Sequence, residues 1–162
     1  GPLPGPVAAV PIRRLGPAEA GLARSLRGEL AATLAAAPTF LPRQEPASGF
    51  YEEWLADPRH AFFAACRGAE AVAMLQVGPA NPDAAEIVQD PGTAGILAAY
   101  ARPEARGVGL VTALLGRTLE WARAEGYARL AVDFEPMNPP ATRFWLRHFR
   151  LVSYTVQRRV AG

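Results

Sequence analysis

The chain has 162 residues, half of them hydrophobic, which is enough for one domain with its own core. No apolar run reaches the roughly 20 residues that a membrane span requires, and 17 basic residues are interspersed with 15 acidic ones, which argues against a nucleic-acid partner. The single cysteine excludes an intrachain disulfide and favours a reducing, cytoplasmic setting.

The first half of the chain is predicted to hold one strand, two helices and a hairpin. Residues 1–9 are rich in proline and glycine and are predicted to form a flexible segment before a single domain over 10–162. Leucines recur every fourth residue after Pro17, which gives the first helix one apolar stripe. The predicted order is a strand at Val10 and Ile12, helices over 17–34 and 50–55, strands over 61–66 and 71–77, and a loop over 78–92.

The second half alternates strands and helices. Apolar runs predict strands over 96–101, 130–134 and 151–160, while 3.6-residue patterns predict a helix from Val108 to near Gly126 and another from Asn138 through Trp145. Together with the first half, this order predicts a mixed α/β domain.

The turn between strand 96–101 and the following helix is the most informative segment. Gly107 and Gly109 leave the backbone uncovered where the first helical N–H groups have no partner, which favours an anion such as phosphate. A Walker loop is excluded because the chain contains no lysine. A dinucleotide fingerprint stays open as an alternative, with Asp133 as the ribose-binding acid, although Thr112 stands where its third glycine is expected.

Two motifs resemble those of the GNAT superfamily of acyl-CoA-dependent N-acyltransferases. The family pattern Arg/Gln-x-x-Gly-x-Gly/Ala is similar to Arg106, Gly109 and Val111, with valine departing from the last position. The segment over 138–145 is similar to the family's Asn-x-x-Ala-x-x-x-Tyr helix, with Trp145 at the tyrosine position. The resemblance implies a central twisted, mostly antiparallel sheet of six to seven strands with helices on both faces.

The resemblance also implies a binding site for acetyl-CoA as co-substrate. The turn amides would hold the pyrophosphate of coenzyme A with help from Arg106, the pantetheine arm would pair with the strand backbone, and Asn138 and Trp145 would complete the site. The strand positions are Ala99, Tyr100 and Ala101, and the turn positions are Gly107, Val108, Gly109, Leu110, Val111 and Thr112.

The catalytic residues are less clearly marked. Relatives often carry a glutamate on the strand before the glycine turn, where this chain is apolar apart from Tyr100. Asp133 and Glu135 are therefore the candidates for the base or for binding the amine, and either is equally compatible with a helix cap or a surface acid. A tryptophan cannot protonate the departing thiolate as a tyrosine can, so Tyr154 or Tyr100 is the candidate acid. No metal site is expected, since the two histidines are far apart in sequence.

The resulting hypothesis is an N-acetyltransferase that moves the acetyl group of acetyl-CoA to a primary amine of a small molecule or peptide. The alternative is a catalytically impaired domain of the same fold that binds acyl-CoA as a regulatory or interaction module. Loops over 35–48 and near Ser153 are expected to shape the acceptor site, and the acidic residues there weakly favour a cationic acceptor. Since relatives are frequently dimers, the resemblance also allows a homodimer.

Overall fold

The computed structural model describes residues 10–80 and 90–153, which form a five-stranded mixed sheet with helices packed on both faces. The strands are β1 (Ile12–Arg14), β2 (Ala61–Arg67), β3 (Glu70–Pro79), β4 (Thr93–Ala101) and β5 (Arg129–Val132). The helices are α1 (Ala20–Ala35), α2 (Phe50–Ala56), α3 (Leu110–Ala124) and α4 (Pro139–His148). Short 3-10 turns, Pro17–Glu19 and Pro103–Ala105, lie ahead of α1 and α3.

The strands follow one another in sequence order across the sheet. All neighbours pair antiparallel except β4 and β5, which are parallel and are joined by α3 as a crossover. The β2–β3 hairpin turns through Gly68, whose φ of 60° suits a residue without a Cβ. The predicted mixed α/β fold, with a mostly antiparallel sheet and helices on both faces, is confirmed.

Alternating side chains along the strands build a separate core on each face of the sheet. On one face the buried strand residues pack against α3 and Trp145 of α4, and on the other they pack against α1 and α2. The buried members include Phe63, Leu75, Ile96 and Leu114 on the first face, and Leu26, Phe62, Met74 and Tyr100 on the second. The leucine stripe of α1 packs against this second face of the sheet. The helix is therefore stabilised mainly by burial of its apolar side rather than by helix propensity.

The helix ends follow local signals in the sequence. Gly126 follows α3 with a φ of 83°, its amide donates to Arg123 O at 3.1 Å, and Tyr127 N–H reaches Ala122 O at 2.9 Å. This pair of bonds is a Schellman ending, which needs a left-handed residue that glycine adopts most cheaply. The predicted end of the helix near Gly126 is confirmed.

Several predicted strand boundaries were wrong. In the described part the sheet has five strands rather than the six to seven predicted, since Leu151 to Ser153 are exposed and unpaired and the rest of the predicted strand over 151–160 lies outside the described residues. Pairing with β4 keeps Gly78 and Pro79 in β3 instead of the predicted loop. Strand β5 ends at Val132 rather than at residue 134. Residues 1–9, predicted to be flexible, also lie outside the described part.

Within the described residues, no helix combines the length and apolar character needed to cross a membrane. The longest, α1, has 16 residues and includes the charged residues Arg24, Arg27 and Glu29.

Gly78 is required by the packing of a histidine. The His60 ring stacks on Trp54 with 4.3 Å between ring centroids, and its Nδ1 lies 3.2 Å from Trp54 O. A Cβ added at Gly78 would lie 2.5 Å from His60 Cδ2. We expect Gly78→Ala to lower the free energy of unfolding by about 1–3 kcal/mol, the usual cost of overpacking, as measured by urea denaturation.

The matched control is Gly28→Ala in the middle of α1, where an added Cβ meets nothing within 4 Å. This variant is expected to gain up to about 1 kcal/mol from helix propensity. Equal stability of Gly78→Ala and the unchanged protein would show that His60 is free to move aside.

Candidate active site

Strands β4 and β5 separate part-way along their length. Their parallel pairing runs from Thr93 with Arg129 to Ile96 with Val132 and then stops. At the same level the β3–β4 register shifts, because Val77 pairs with Ile96 while Gln76 pairs with Ala98. Leu97 is therefore the extra residue of a β-bulge, a feature that bends a strand and often adjoins an active site. The bulge directs β4 away from β5 and opens a gap between them.

A cleft of about 1100 Å³ occupies this gap. One wall consists of α1 with residues 41–46, and the other consists of β5, residues 133–136 and α4. Leu41 is held near the helix because its amide donates to Leu34 O at 2.8 Å. The cleft therefore reaches both faces of the sheet, as a site that joins two substrates requires.

The edge of β4 presents backbone groups to this cleft. Arg102 donates its amide to Val72 O on β3 at 3.0 Å. Because hydrogen-bond directions alternate along a strand, Ala99 and Ala101 direct their N–H and C=O groups away from β3 and toward the gap. The carbonyl of Ala101 accepts a bond from Arg106 Nε at 2.9 Å. The edge at Ala99 is positioned to pair with an extended ligand.

The turn after β4 has the backbone conformation expected of an anion site. Gly107 and Gly109 have φ values of 77° and 78°, so both need the left-handed region that favours glycine. None of the amides of residues 107–112 donates a hydrogen bond to another described residue, and Gly109 caps α3 without a side-chain bond. These amides, at the positive end of the α3 dipole, form a surface suited to a phosphate oxygen.

Two arginines fix this turn to its surroundings. Arg106 places its guanidinium carbon 5.9 Å from the centre of the Tyr100 ring, in addition to its bond to β4. Arg102 makes a forked contact to Glu29 of α1, with N–O distances of 2.9–3.2 Å. Charge-assisted pairs of this geometry are among the stronger polar contacts. The first wall of the cleft is thereby tied to the start of the glycine turn.

Asp133 and Glu135 line the cleft just beyond β5. Since β5 ends at Val132, both lie in the connection to α4 and not on the strand. Asp133 is exposed as a whole residue, but partial burial of its carboxylate raises the pKa above the ordinary value of 3.8. No cation is among the causes of that shift. A carboxylate that holds its proton more tightly than usual is a stronger base once ionised.

Helix α4 supplies the remaining wall. Asn138 is its N-cap, with Oδ1 accepting from Ala141 N at 3.4 Å, and both residues line the cleft. Trp145 also lines it and is buried against the α3 side of the core, with Phe144 and Phe149 packed edge-on at 4.9 and 5.5 Å between ring centroids. The indole is thus held rigidly at the cleft wall.

Comparison with known proteins identifies the fold. The sequence model of the Acetyltransferase (GNAT) family matches residues 29–149. The chain belongs to this family. The resemblance seen in the glycine turn and the Asn138 helix is therefore confirmed at the level of the GNAT family.

Solved GNAT structures superpose over nearly the whole chain. An aminoglycoside N-acetyltransferase AAC(6')-Iy in complex with CoA is 18% identical, with a TM-score of 0.71 over 94% of this chain and 100% of that one. A ribosomal-protein-alanine N-acetyltransferase from Brucella melitensis biovar Abortus 2308 is 17% identical, with a TM-score of 0.71 over 96% and 99%. At these identities the likeness shows the fold alone. Among curated proteins no sequence matches this chain.

The GNAT cleft brings together only some of the residues that sequence reasoning selected. Ala99, Asp133, Glu135, Asn138 and Trp145 all line it. The turn residues Gly107, Val108, Gly109, Leu110 and Thr112 lie between the 3-10 turn Pro103–Ala105 and the first turn of α3, and they are not among the residues that line the cleft. The predicted Tyr154 lies outside the described residues.

Other predicted GNAT residues have additional structural roles. Val111, the departure from the family pattern, is partly buried and packs against the α3 side of the core. The Tyr100 side chain is buried on the opposite face, beneath α1 and α2. Its backbone pairs with Met74 of β3, and Tyr100 is not among the residues that line the cleft.

Sequence reasoning missed the contribution of α1 to the cleft. Arg24, Arg27 and Gly28 line it although they lie some 80 residues before the glycine turn. Their spacing of three and four residues puts them on one helix face, but nothing local in the sequence shows that this face meets the gap. Within residues 10–80 and 90–153, no group of three or more acidic, histidine or cysteine side chains is arranged to hold a metal.

Proposed function

We propose that this GNAT protein transfers the acetyl group of acetyl-CoA to a primary amine of a small molecule or peptide. The observation that carries the proposal is the separation of β4 from β5 after Ile96, which leaves the edge of β4 unpaired in the described part of the chain. Amides without hydrogen-bond partners among the described residues lie beyond this edge at the start of α3. The carboxylate of Asp133 lines the cleft beside the same edge. One ligand can occupy the strand edge and the amides together, while a second approaches the carboxylates through the cleft.

Acetyl-CoA fits the first of these positions chemically. Its pyrophosphate would accept from the amides of residues 107–112, with Arg106 adding positive charge after releasing the Ala101 carbonyl. The pantetheine arm contains amides that can pair with Ala99 as an added strand does. Asn138, whose Oδ1 is used by the α4 cap, retains an amide NH₂ to donate to the arm.

The transfer itself needs proton movement at two atoms. The amine nitrogen attacks the thioester carbonyl carbon, an N–C bond forms, and the C–S bond breaks to give coenzyme A. Asp133 would take the proton that the nitrogen loses, directly or through water, with Glu135 helping to hold the amine. Tyr154 stays the candidate that protonates the departing sulfur. A homodimer and a cytoplasmic setting also stay predictions.

A second candidate is an acyl-CoA-binding module with little or no transferase activity. Two observations favour it: β4 carries no carboxylate between Ile96 and Ala101, and a rigid tryptophan stands where relatives often have the tyrosine acid. Such a domain would use the glycine turn and the strand edge but not Asp133.

Acetyl-CoA is expected to stabilise the folded chain by about 2.7 kcal/mol at a concentration of 100 times its Kd, which follows from binding the native state alone. A thermal shift series with acetyl-CoA, against NAD as the control for the dinucleotide alternative, measures this. Release of free coenzyme A thiol with a panel of amines then separates an enzyme from a binding module. A shift with NAD and none with acetyl-CoA would overturn both candidates.

A further inference from the structure

The cleft contains more positive than negative side chains on its described walls. Five arginines face three acids: Arg24, Arg27, Arg43, Arg129 and Arg150 against Glu45, Asp133 and Glu135. Two of the acids are the candidate catalytic carboxylates. The net charge of the lining is therefore most positive away from these two carboxylates, along α1 and the segment after it.

Arg24 and Arg27 lie one turn apart on the face of α1 that borders the cleft. Like charges three residues apart on a helix repel each other and destabilise it slightly. Gly28 and Ala31 share this face and are small, so they leave room beside the guanidinium groups. Such an arrangement is costly in an empty cleft and becomes favourable when an anion binds between the charges.

The two arginines differ in the partners they already have. Arg24 lies 3.3 Å from Glu52 and 6.0 Å from the centre of the Tyr51 ring, which hold its guanidinium in place. Arg27 is half-buried and forms no ion pair with any residue in 10–80 or 90–153. Arg27 is thus the group best placed to receive an anion.

The opposite wall of the cleft is balanced in charge, because Arg129 and Arg150 lie on it together with two carboxylates. Asp133 and Glu135 border it at the end of β5, where the reacting amine is proposed to lie. A molecule that spans the cleft would then place its amine near these carboxylates and an anionic group near α1. An acceptor with several positive charges would instead face Arg27 without a compensating anion.

We infer that the acceptor is a small amine that also carries an oxyanion, a carboxylate or a phosphate, and that Arg27 binds this oxyanion with Arg24 beside it. The inference rests on the proposed transfer to an amine and specifies the substrate class of that same site. It reverses the weak expectation of a cationic acceptor drawn from the acidic residues alone.

The test compares acceptors that differ only in the anion. Coenzyme A release is followed with 4-aminobutyrate against butylamine, and with O-phosphoethanolamine against ethanolamine, while spermidine serves as the polycation. We expect kcat/KM for at least one anionic amine to exceed that of its neutral partner at least about tenfold, the ratio given by one charge-assisted contact. The two pairs distinguish carboxylate from phosphate recognition.

Variants then assign the preference to a residue. Arg27→Gln is expected to lower the anionic-to-neutral kcat/KM ratio about tenfold, through KM, and Arg27→Glu is expected to lower it further. The control is Arg123→Gln in the exposed last turn of α3, on the other face of the sheet, which should keep the wild-type ratio. A ratio near one in the unchanged protein, or a ratio that Arg27→Gln leaves intact, would overturn the inference.

Binding measurements keep the inference testable if no amine is acetylated. Calorimetry on the protein saturated with coenzyme A compares 4-aminobutyrate with butylamine, and O-phosphoethanolamine with ethanolamine, before and after Arg27→Gln. Tighter binding of the anionic partner that Arg27→Gln removes supports the oxyanion site even though the proposed transfer fails. Equal or weaker binding of both anionic amines refutes the site, whatever the fate of the transferase.

Discussion

Replacing Gly109 with valine is expected to raise the Kd of acetyl-CoA at least about tenfold, or 1.4 kcal/mol. Gly109 caps α3 with a φ of 78°, a conformation that costs a β-branched residue of order 1–3 kcal/mol. The backbone at residue 109 would relax to a different conformation. The amides of residues 107–112 would then no longer point toward one anion. The new side chain would also cover the backbone that the pyrophosphate is proposed to contact. Isothermal calorimetry with acetyl-CoA measures the change.

Gly126→Val is the matched control, because Gly126 has a φ of 83° and ends the same helix at the other end. Both variants should lose stability, since both force valine into the left-handed region, but only Gly109→Val should lose affinity. An unchanged Kd in Gly109→Val would remove the glycine turn from the cofactor site. An equal loss in both variants would indicate that helix stability and not the turn controls binding.

The parts of the fold that follow from local backbone chemistry could be predicted from sequence. Gly107 and Gly109 are recognisable because a turn with two positive φ values needs glycine, and the same holds for Gly126 at the end of α3. The β2–β3 hairpin follows from its Gly68 turn and two apolar runs. In each case the physical cause lies within a few residues of its effect.

The cleft could be predicted only in part because its shape depends on pairing between distant segments. The bulge at Leu97 exists because β3 and β4 change register, which no residue near Leu97 signals. The end of β5 at Val132 follows from that same parting of the strands. For this reason Asp133 was expected at a strand end and lies instead in the connection to α4.

The α1 wall shows the same limit. Arg27 has the sequence context of a solvated helix face, and only the docking of α1 beside β4, secured by Glu29 and Arg102, turns that face toward the cleft. Asn138 was selected as a cofactor contact, whereas its local role is to cap α4. The two roles are compatible because different atoms of the amide serve them.

Asp133→Asn is expected to lower kcat by about 100-fold or more, the usual contribution of a positioned general base, with little change in the Kd of acetyl-CoA. The amide has nearly the same shape as the carboxylate but cannot accept a proton. In the unchanged protein, kcat should rise as pH increases through the pKa of Asp133, which burial places above the ordinary 3.8. The pH profile of the variant should lack this rise of kcat at acidic pH, which we call the acidic limb. Stopped assays of coenzyme A release between about pH 4 and pH 8 measure both the fall in kcat and the loss of its pH dependence.

Stability gives an independent check on the same carboxylate. Because its pKa is raised in the folded state, the folded chain binds the proton more tightly than the unfolded chain does. The resulting stabilisation is present at low pH and is lost as pH rises through the folded-state pKa. Asparagine cannot ionise, so the Asp133→Asn variant has no such loss of stability as pH rises. It should be at least as stable as the unchanged protein at pH 7. Glu135→Gln is the matched comparison: if it lowers kcat and removes the acidic limb while Asp133→Asn does neither, the base is Glu135.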